Sequence, residues 1–185
     1  MTGRRAVRAL VLAMFMITAC GDDDAAQQTA QLADDGGAVA DYPAAVPFDT
    51  ATAYLVTATD SITLRVDIAD SDDRRAYGLM DRDALDDDAG MIFLYDVQQP
   101  GSSGFWMYRT RIPLDIAFVD GAGRIVAIRH MEPCPSRERS RCEELARGYN
   151  PGEPYYGALE VNNGYFAEHG VVVGDRVVLP GRIGG

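Results

Sequence analysis

The chain has 185 residues, 28 acidic and 17 basic side chains, and a formal net charge of −11. That balance excludes the basic face that nucleic-acid phosphates require, and nucleic acid is not an expected partner. Length and a hydrophobic content of 47 % allow one real core in one domain.

The N-terminus reads as a targeting segment. Arg4, Arg5 and Arg8 form a positive leader, and Ala9 to Ala19 form an apolar stretch too short to span a bilayer. The run Ile17-Thr18-Ala19-Cys20 then places small residues before a thiol, the pattern of a bacterial lipoprotein signal at residues 1–19. Acylation of Cys20 would anchor the protein in membrane lipid on the extracytoplasmic face of the cell envelope. Each buried methylene contributes roughly 0.8 kcal/mol, so more than one acyl chain holds without a transmembrane helix. The competing readings are a plain secretory signal with an incidental cysteine and an uncleaved anchor. Residues 1–19 carry three arginines and no acid, so the chain from Cys20 onward has a net charge of −14.

Residues 20–45 hold Asp, Ala, Gln and Gly with almost no large apolar side chain, too little burial to offset chain entropy. They are expected to form a flexible acidic tether with a reach on the order of 25–30 Å. Residues 46–182 are expected to form a single globular domain.

That domain opens with Tyr54-Leu55-Val56 and a turn at Thr59-Asp60-Ser61. Ile62, Leu64, Val66 and Ile68 then alternate with Thr63, Arg65 and Asp67, the period of a half-buried strand. Asp70 and Ser71 suit the N-cap of a short helix from about Asp72 to Met80, with Gly78 inside it. Gly90 to Tyr95 is apolar on both faces and predicts a buried central strand. Phe105-Trp106-Met107 predicts the start of another, and Leu114 to Val119 one more after Pro113. Asp120-Gly121-Ala122-Gly123 predicts a hairpin turn into Ile125 to Ile128. A long loop then leads to a strand near Ala158 to Val161. Asn162 is expected to cap a short helix through Glu168, with His169 at its C-terminus, before a last strand at Val173 to Leu179. The fold class is mainly β, of the α+β kind: a compact β-barrel or β-sandwich with one or two short helices.

Five motifs occur in order: Arg75-Ala76-Tyr77-Gly78-Leu79-Met80 with Arg82, Gly90-Met91-Ile92-Phe93, Phe105-Trp106-Met107, Ile112-Pro113-Leu114-Asp115-Ile116-Ala117-Phe118, and Glu160-Val161-Asn162-Asn163-Gly164. Together they resemble the domain of unknown function 192 family over roughly residues 60–180. The resemblance implies a compact, mainly β domain, often exported or lipid-anchored, with no established activity. Where such proteins usually carry Lys-Asn-Thr, this chain has Tyr108-Arg109-Thr110. An arginine cannot accept the hydrogen bonds that an asparagine can.

Cys134 and Cys142 share one loop, and export favours a disulfide between them. The alternative is a soft metal site built from His130, Met131, Cys134 and Cys142, though no regular CxxC or HxxxH spacing supports one. Asp115 interrupts an apolar strand, and a buried carboxylate needs a partner; Arg75, Arg82 and Arg109 are the expected ones. Trp106 and Tyr108 are expected on one side of their segment, as core or as an aromatic platform for a sugar ring or lipid headgroup. No GxSxG, Walker loop, dinucleotide glycine pattern or HExxH occurs.

The leading functional expectation is a non-catalytic envelope lipoprotein whose β domain binds a ligand, glycan or protein partner, without a cofactor. Arg82, Trp106, Asp115 and Glu160 are its contact candidates. The alternatives are a hydrolase of envelope polymers using Asp115 and Glu160 as acid and base, and a metal or redox carrier using the Cys134 loop.

Overall fold

The computed structural model describes residues 46–134, 138–146 and 149–184; the predicted signal, Cys20 and tether lie outside these described residues. The elements are β1 (Asp49–Val56), β2 (Ser61–Ala69), α1 (Asp72–Tyr77), β3 (Ala89–Gln99), β4 (Leu114–Val119), β5 (Ile125–Met131), α2 (Arg139–Ala146), β6 (Tyr155–Asn162), α3 (Tyr165–Glu168) and β7 (Arg176–Val178). They build one seven-stranded sheet in the order β5-β4-β6-β3-β2-β1-β7. Every ladder is antiparallel except β2–β3, whose crossover carries α1. No described helix is long and apolar enough to cross a membrane.

The sheet curls until its edge strands meet. The amide of Ile125 donates to Asp175 at 2.8 Å, that of Gly174 donates back to Ile125 at 2.9 Å, and Val177 donates to Gly123 at 2.8 Å. The mainly β expectation is met by one curled, half-barrel sheet, not by two stacked ones. Gly123 sits at φ +77°, and a Cβ there would lie 2.3 Å from the Val177 carbonyl oxygen. The predicted hairpin turn therefore needs glycine for both conformation and space.

Period-two alternation sorts side chains to two cores. The face enclosed by the curl buries Leu55, Leu64, Val66, Ile92, Ala117, Val119, Leu159, Val161 and Val177 with Tyr165 and Phe166 of α3. The outer face of β3, β6, β4 and β5 buries Met91, Phe93, Ile116, Phe118 and Ala158 beneath Leu79, Met80, Phe105, Met107 and Tyr108. Burial on both faces explains why Gly90 to Tyr95 and Leu114 to Val119 read as continuous apolar runs.

Four expectations are corrected. Helix α1 stops at Tyr77, because Gly78 forms its C-cap at φ +52° while Ser71 caps its start. Phe105-Trp106-Met107 is no strand: it crosses the outer face as irregular chain, with Phe105 packed on Phe93 and Phe118 and one isolated bridge following it at Tyr108–Cys134. Gly164, not Asn162, is the N-cap of α3; the Asn162 amide instead donates to the Leu85 and Asp86 carbonyls at 3.1 Å. Strand β6 starts at Tyr155, whose ring belongs to an edge-to-face aromatic cluster with Tyr95 and Phe118. His169 does close α3 as expected, its ring stacked on Tyr165 and hydrogen-bonded to the Tyr165 carbonyl at 2.9 Å.

Candidate functional site

Strand register places one buried acid at the centre of the outer face. Asp67 pairs with Met91, Met91 with Glu160, and Glu160 with Ile116, so these four side chains cross the outer face in a row. The approach of β3 to β6 at this point depends on Gly90, where a Cβ would lie 2.6 Å from the Glu160 carbonyl oxygen.

Glu160 is 4 % exposed. No described residue donates a hydrogen bond to its carboxylate, and no fully enclosed polar atom is left without a partner. The carboxylate therefore looks onto open space. That space is a small pocket walled by Tyr77, Met80, Phe93, Phe105, Trp106 and Tyr108, with Arg75 and Thr110 also lining it. The volume open to the centre of a water-sized sphere is ≈ 20 Å³, against roughly 10–15 Å³ for one water. Burial pushes the carboxyl up to about 8, with nearby Arg82 opposing the rise. At neutral pH the empty pocket holds a protonated acid.

The surrounding charges are already paired. Arg75 binds Asp72 at 2.6 Å and the Leu94 carbonyl at 2.7 Å, with its guanidinium over the Tyr95 ring. Arg82 binds Asp67 at 2.6 Å. Two positive-φ residues, Asp81 and Arg109, lock the flanking turns together: the Asp81 amide donates to the Arg109 carbonyl at 3.0 Å and the Arg109 guanidinium pairs with the Asp81 carboxylate. Asparagine, which tolerates the left-handed region, would suit the φ of +57° at position 109. Arginine there is held by the ion pair instead.

Helix α2, which the sequence does not announce, contacts the Trp106 wall of the pocket. Cys142 of α2 is disulfide-bonded to Cys134 with Cα atoms 5.9 Å apart, and the Cys134 amide donates to the Thr110 carbonyl at 3.1 Å. Arg139 of the same helix places its guanidinium 4.7 Å over the Trp106 ring. The expected disulfide is present, and its two sulfurs are thereby removed as thiolate ligands for the alternative metal site. Among the described residues no cluster of three or more His, Cys, Asp or Glu is placed to hold a metal.

Of the four contact candidates, the fold brings Trp106 and Glu160 into one pocket. Arg82 contributes its field from the side, within an adjoining cleft that it shares with Asp67 and Leu85. Asp115 is elsewhere. It pairs with Val161 while Glu160 pairs with Ile116, so the two carboxylates point to opposite faces and the sheet separates the dyad that the hydrolase reading requires. The expected arginine partners are also replaced. Asp115 accepts from the Gly164 amide at 2.9 Å and contacts Nδ1 of His130 at 3.3 Å, so it ties the start of α3 to β4. His130 is raised above its ordinary value, first by its hydrogen bond to Glu132 and then by Asp115. Tyr108 lines the same pocket beside Trp106, as the platform expectation allowed, whereas nothing in the sequence points to Thr110 as a wall; the fold of the 100–113 segment brings both to the pocket of Glu160.

A search of curated proteins gives no match. Several solved structures are similar, among them two from other bacteria. A candidate transcription regulator from Sinorhizobium meliloti 1021 is 31 % identical, with a TM-score of 0.59, covering 72 % of this chain and 96 % of its own. A protein of unknown function from Novosphingobium aromaticivorans DSM 12444 is 28 % identical, with a TM-score of 0.55, covering 75 % of this chain and 95 % of its own. The family model described as "Uncharacterized ACR" matches residues 54–179, which include every wall of the Glu160 pocket, and the chain belongs to that family, the domain of unknown function 192.

Proposed function

We propose that this protein is a lipid-anchored envelope protein whose curled β domain binds a small ligand at Glu160 without transforming it. The observation that carries the reading is a buried carboxylate with no hydrogen-bond partner, facing a pocket that also exposes Trp106. Such a group is costly to bury and is retained where something is to be bound or reacted. Binding is favoured over hydrolysis because, among the described residues, Glu160 is the only acid lining the pocket, whereas general acid and base work needs a second group. Nucleic-acid binding, raised by the description of the Sinorhizobium meliloti protein, is disfavoured by the net charge of −11.

Trp106 is the sole tryptophan, so its fluorescence reports directly on the pocket. Titration of the full chain with a panel of small amines, carboxylates and sugars is expected to give a saturable change that Glu160→Gln abolishes; a flat response to the whole panel refutes the reading. Envelope anchoring is supported by the Cys20 motif and tether. It predicts incorporation of labelled palmitate that Cys20→Ser eliminates, and palmitate-free protein in a lipoprotein-processing bacterium refutes it.

A second reading, a glycan site, is favoured by a groove on another side of the domain. It offers ≈ 390 Å³ to the centre of a water-sized sphere and is lined by Tyr95, Tyr156, Asp70, Asp96 and Arg182. Loss of glycan binding in Tyr156→Ala but not in Glu160→Gln would assign sugars to the groove.

A further inference from the structure

We propose that the group recognised at Glu160 is a primary ammonium, seated as a cation against the carboxylate and between the aromatic walls of the pocket. The inference rests on the reading of this pocket as a ligand site and names what enters it. Among the described residues Glu160 is the one acid lining the pocket, and no hydrogen bond to its carboxylate is made by any of them. Neither neighbouring arginine is available to receive an anion, since Arg75 is held by Asp72 and Arg82 by Asp67. The walls present the rings of Tyr77, Phe93, Phe105, Trp106 and Tyr108, and aromatic faces attract cations. Arg139 already stacks on the Trp106 ring in this way, at 4.7 Å. A net charge of −11 draws cations toward the whole surface.

Size narrows the class. A pocket with ≈ 20 Å³ open to a water-sized centre admits one ammonium head, whose three N–H donors match the carboxylate and the Thr110 hydroxyl. A planar guanidinium or a quaternary ammonium is larger than the water-sized space. The charged or titratable groups around Glu160 are Arg75 and Tyr77 from α1, Arg82 from the turn beyond it, Tyr108 beside Trp106, the Trp106-bound Arg139 from α2, Tyr95 from β3 and Asp67 from β2. Asp67, the one acid among them, is paired with Arg82 and does not line the pocket, so an entering cation must be neutralised by Glu160. The acid is protonated when the pocket is empty at neutral pH. Seating the ammonium therefore forms N–H···O contacts to the carboxylate and releases the carboxyl proton to solvent.

The test is calorimetric titration of the full chain in detergent with methylammonium, tetramethylammonium, guanidinium and acetate, in two buffers of different ionisation enthalpy. Methylammonium is expected to bind with release of close to one proton at pH 7, with affinity rising up to tenfold per pH unit from pH 6 to 8. Glu160→Gln is expected to weaken it at least tenfold while urea unfolding shows that the variant remains folded; Thr110→Val should weaken it less. Ethanolamine and phosphatidylethanolamine vesicles, run side by side, distinguish a free amine from a lipid headgroup, and binding of either supports the ammonium assignment. Binding of acetate or equal binding of tetramethylammonium overturns the ligand class but leaves the pocket a ligand site. Silence from every probe, with folded protein, overturns the pocket reading itself.

Discussion

Replacing Glu160 by glutamine removes a charge that the pocket resists while keeping the shape of the side chain. The carboxyl titrates near 4.5 when unfolded and at about 8 in the folded protein, a difference worth roughly 5 kcal/mol at about 1.4 kcal/mol per pH unit. The sign follows from proton binding. Below the unfolded value both states hold the proton and Glu160 has no effect on the pH dependence. Between that value and 8 the unfolded state has lost the proton and the folded state keeps it, so the wild type loses stability as pH rises through this window. Glutamine does not titrate. Urea unfolding of both proteins at pH 5, 6, 7 and 8 isolates the effect, because His130 and every other titrating group cancel in the difference. The stability of Glu160→Gln minus that of the wild type is expected to grow by about 1.4 kcal/mol per pH unit up to pH 8 and then level off. Parallel curves across that range would refute the reasoning, since they would mean that Glu160 ionises in the folded protein as readily as in the unfolded one.

Three further outcomes are expected. The double variant Cys134→Ser/Cys142→Ser opens a loop with a sequence separation of 8 and should lose about 2–3 kcal/mol in urea unfolding. It should also shift Trp106 emission to the red as the helix carrying Arg139 loosens its hold. Gly90→Ala sets a Cβ 2.6 Å from the Glu160 carbonyl oxygen and should destabilise by about 2–4 kcal/mol through displacement of β3 from β6, measured by thermal unfolding. His130, raised above 6.5 by Glu132 and then Asp115, supplies stability that is fully present below pH 6.5 and lost as pH rises through its folded value. With its side chain 44 % exposed, the effect should stay under about 1 kcal/mol. His130→Gln should thus be less stable than wild type at pH 5.5 and close to it at pH 8.5.

Much of the sheet was legible because alternation is a local signal. Ile62 to Ile68 and the Asp120–Gly123 hairpin carry their period and turn chemistry in consecutive residues, and the two-faced burial of Gly90 to Tyr95 showed as an unbroken apolar run. The Phe105-Trp106-Met107 segment misled for the same reason. Its residues favour strands, yet its position over the outer face, with Phe105 packed edge-to-face on Phe93 at 4.8 Å, is decided by tertiary packing.

The site was legible residue by residue but not as a pair. Glu160 and Asp115 both stood out as acids in apolar surroundings, and period-two reasoning within each strand could not say that β4 and β6 align Asp115 with Val161. A one-residue change of register would have put both acids on one face. Helix α2 escaped notice because half of its residues, Arg139 to Ala146, are charged and few are apolar; what holds it is the Cys142 disulfide and the contact of Arg139 with Trp106.

The central claim is that Glu160 is a protonated acid waiting for a cation, and carbon-detected NMR of its side-chain carboxyl tests it most directly. A titration midpoint near 8 without added ligand and ionisation at pH 7 on saturation with methylammonium are expected. A carboxyl that titrates near 4.5, with a resonance that methylammonium does not move, would contradict it.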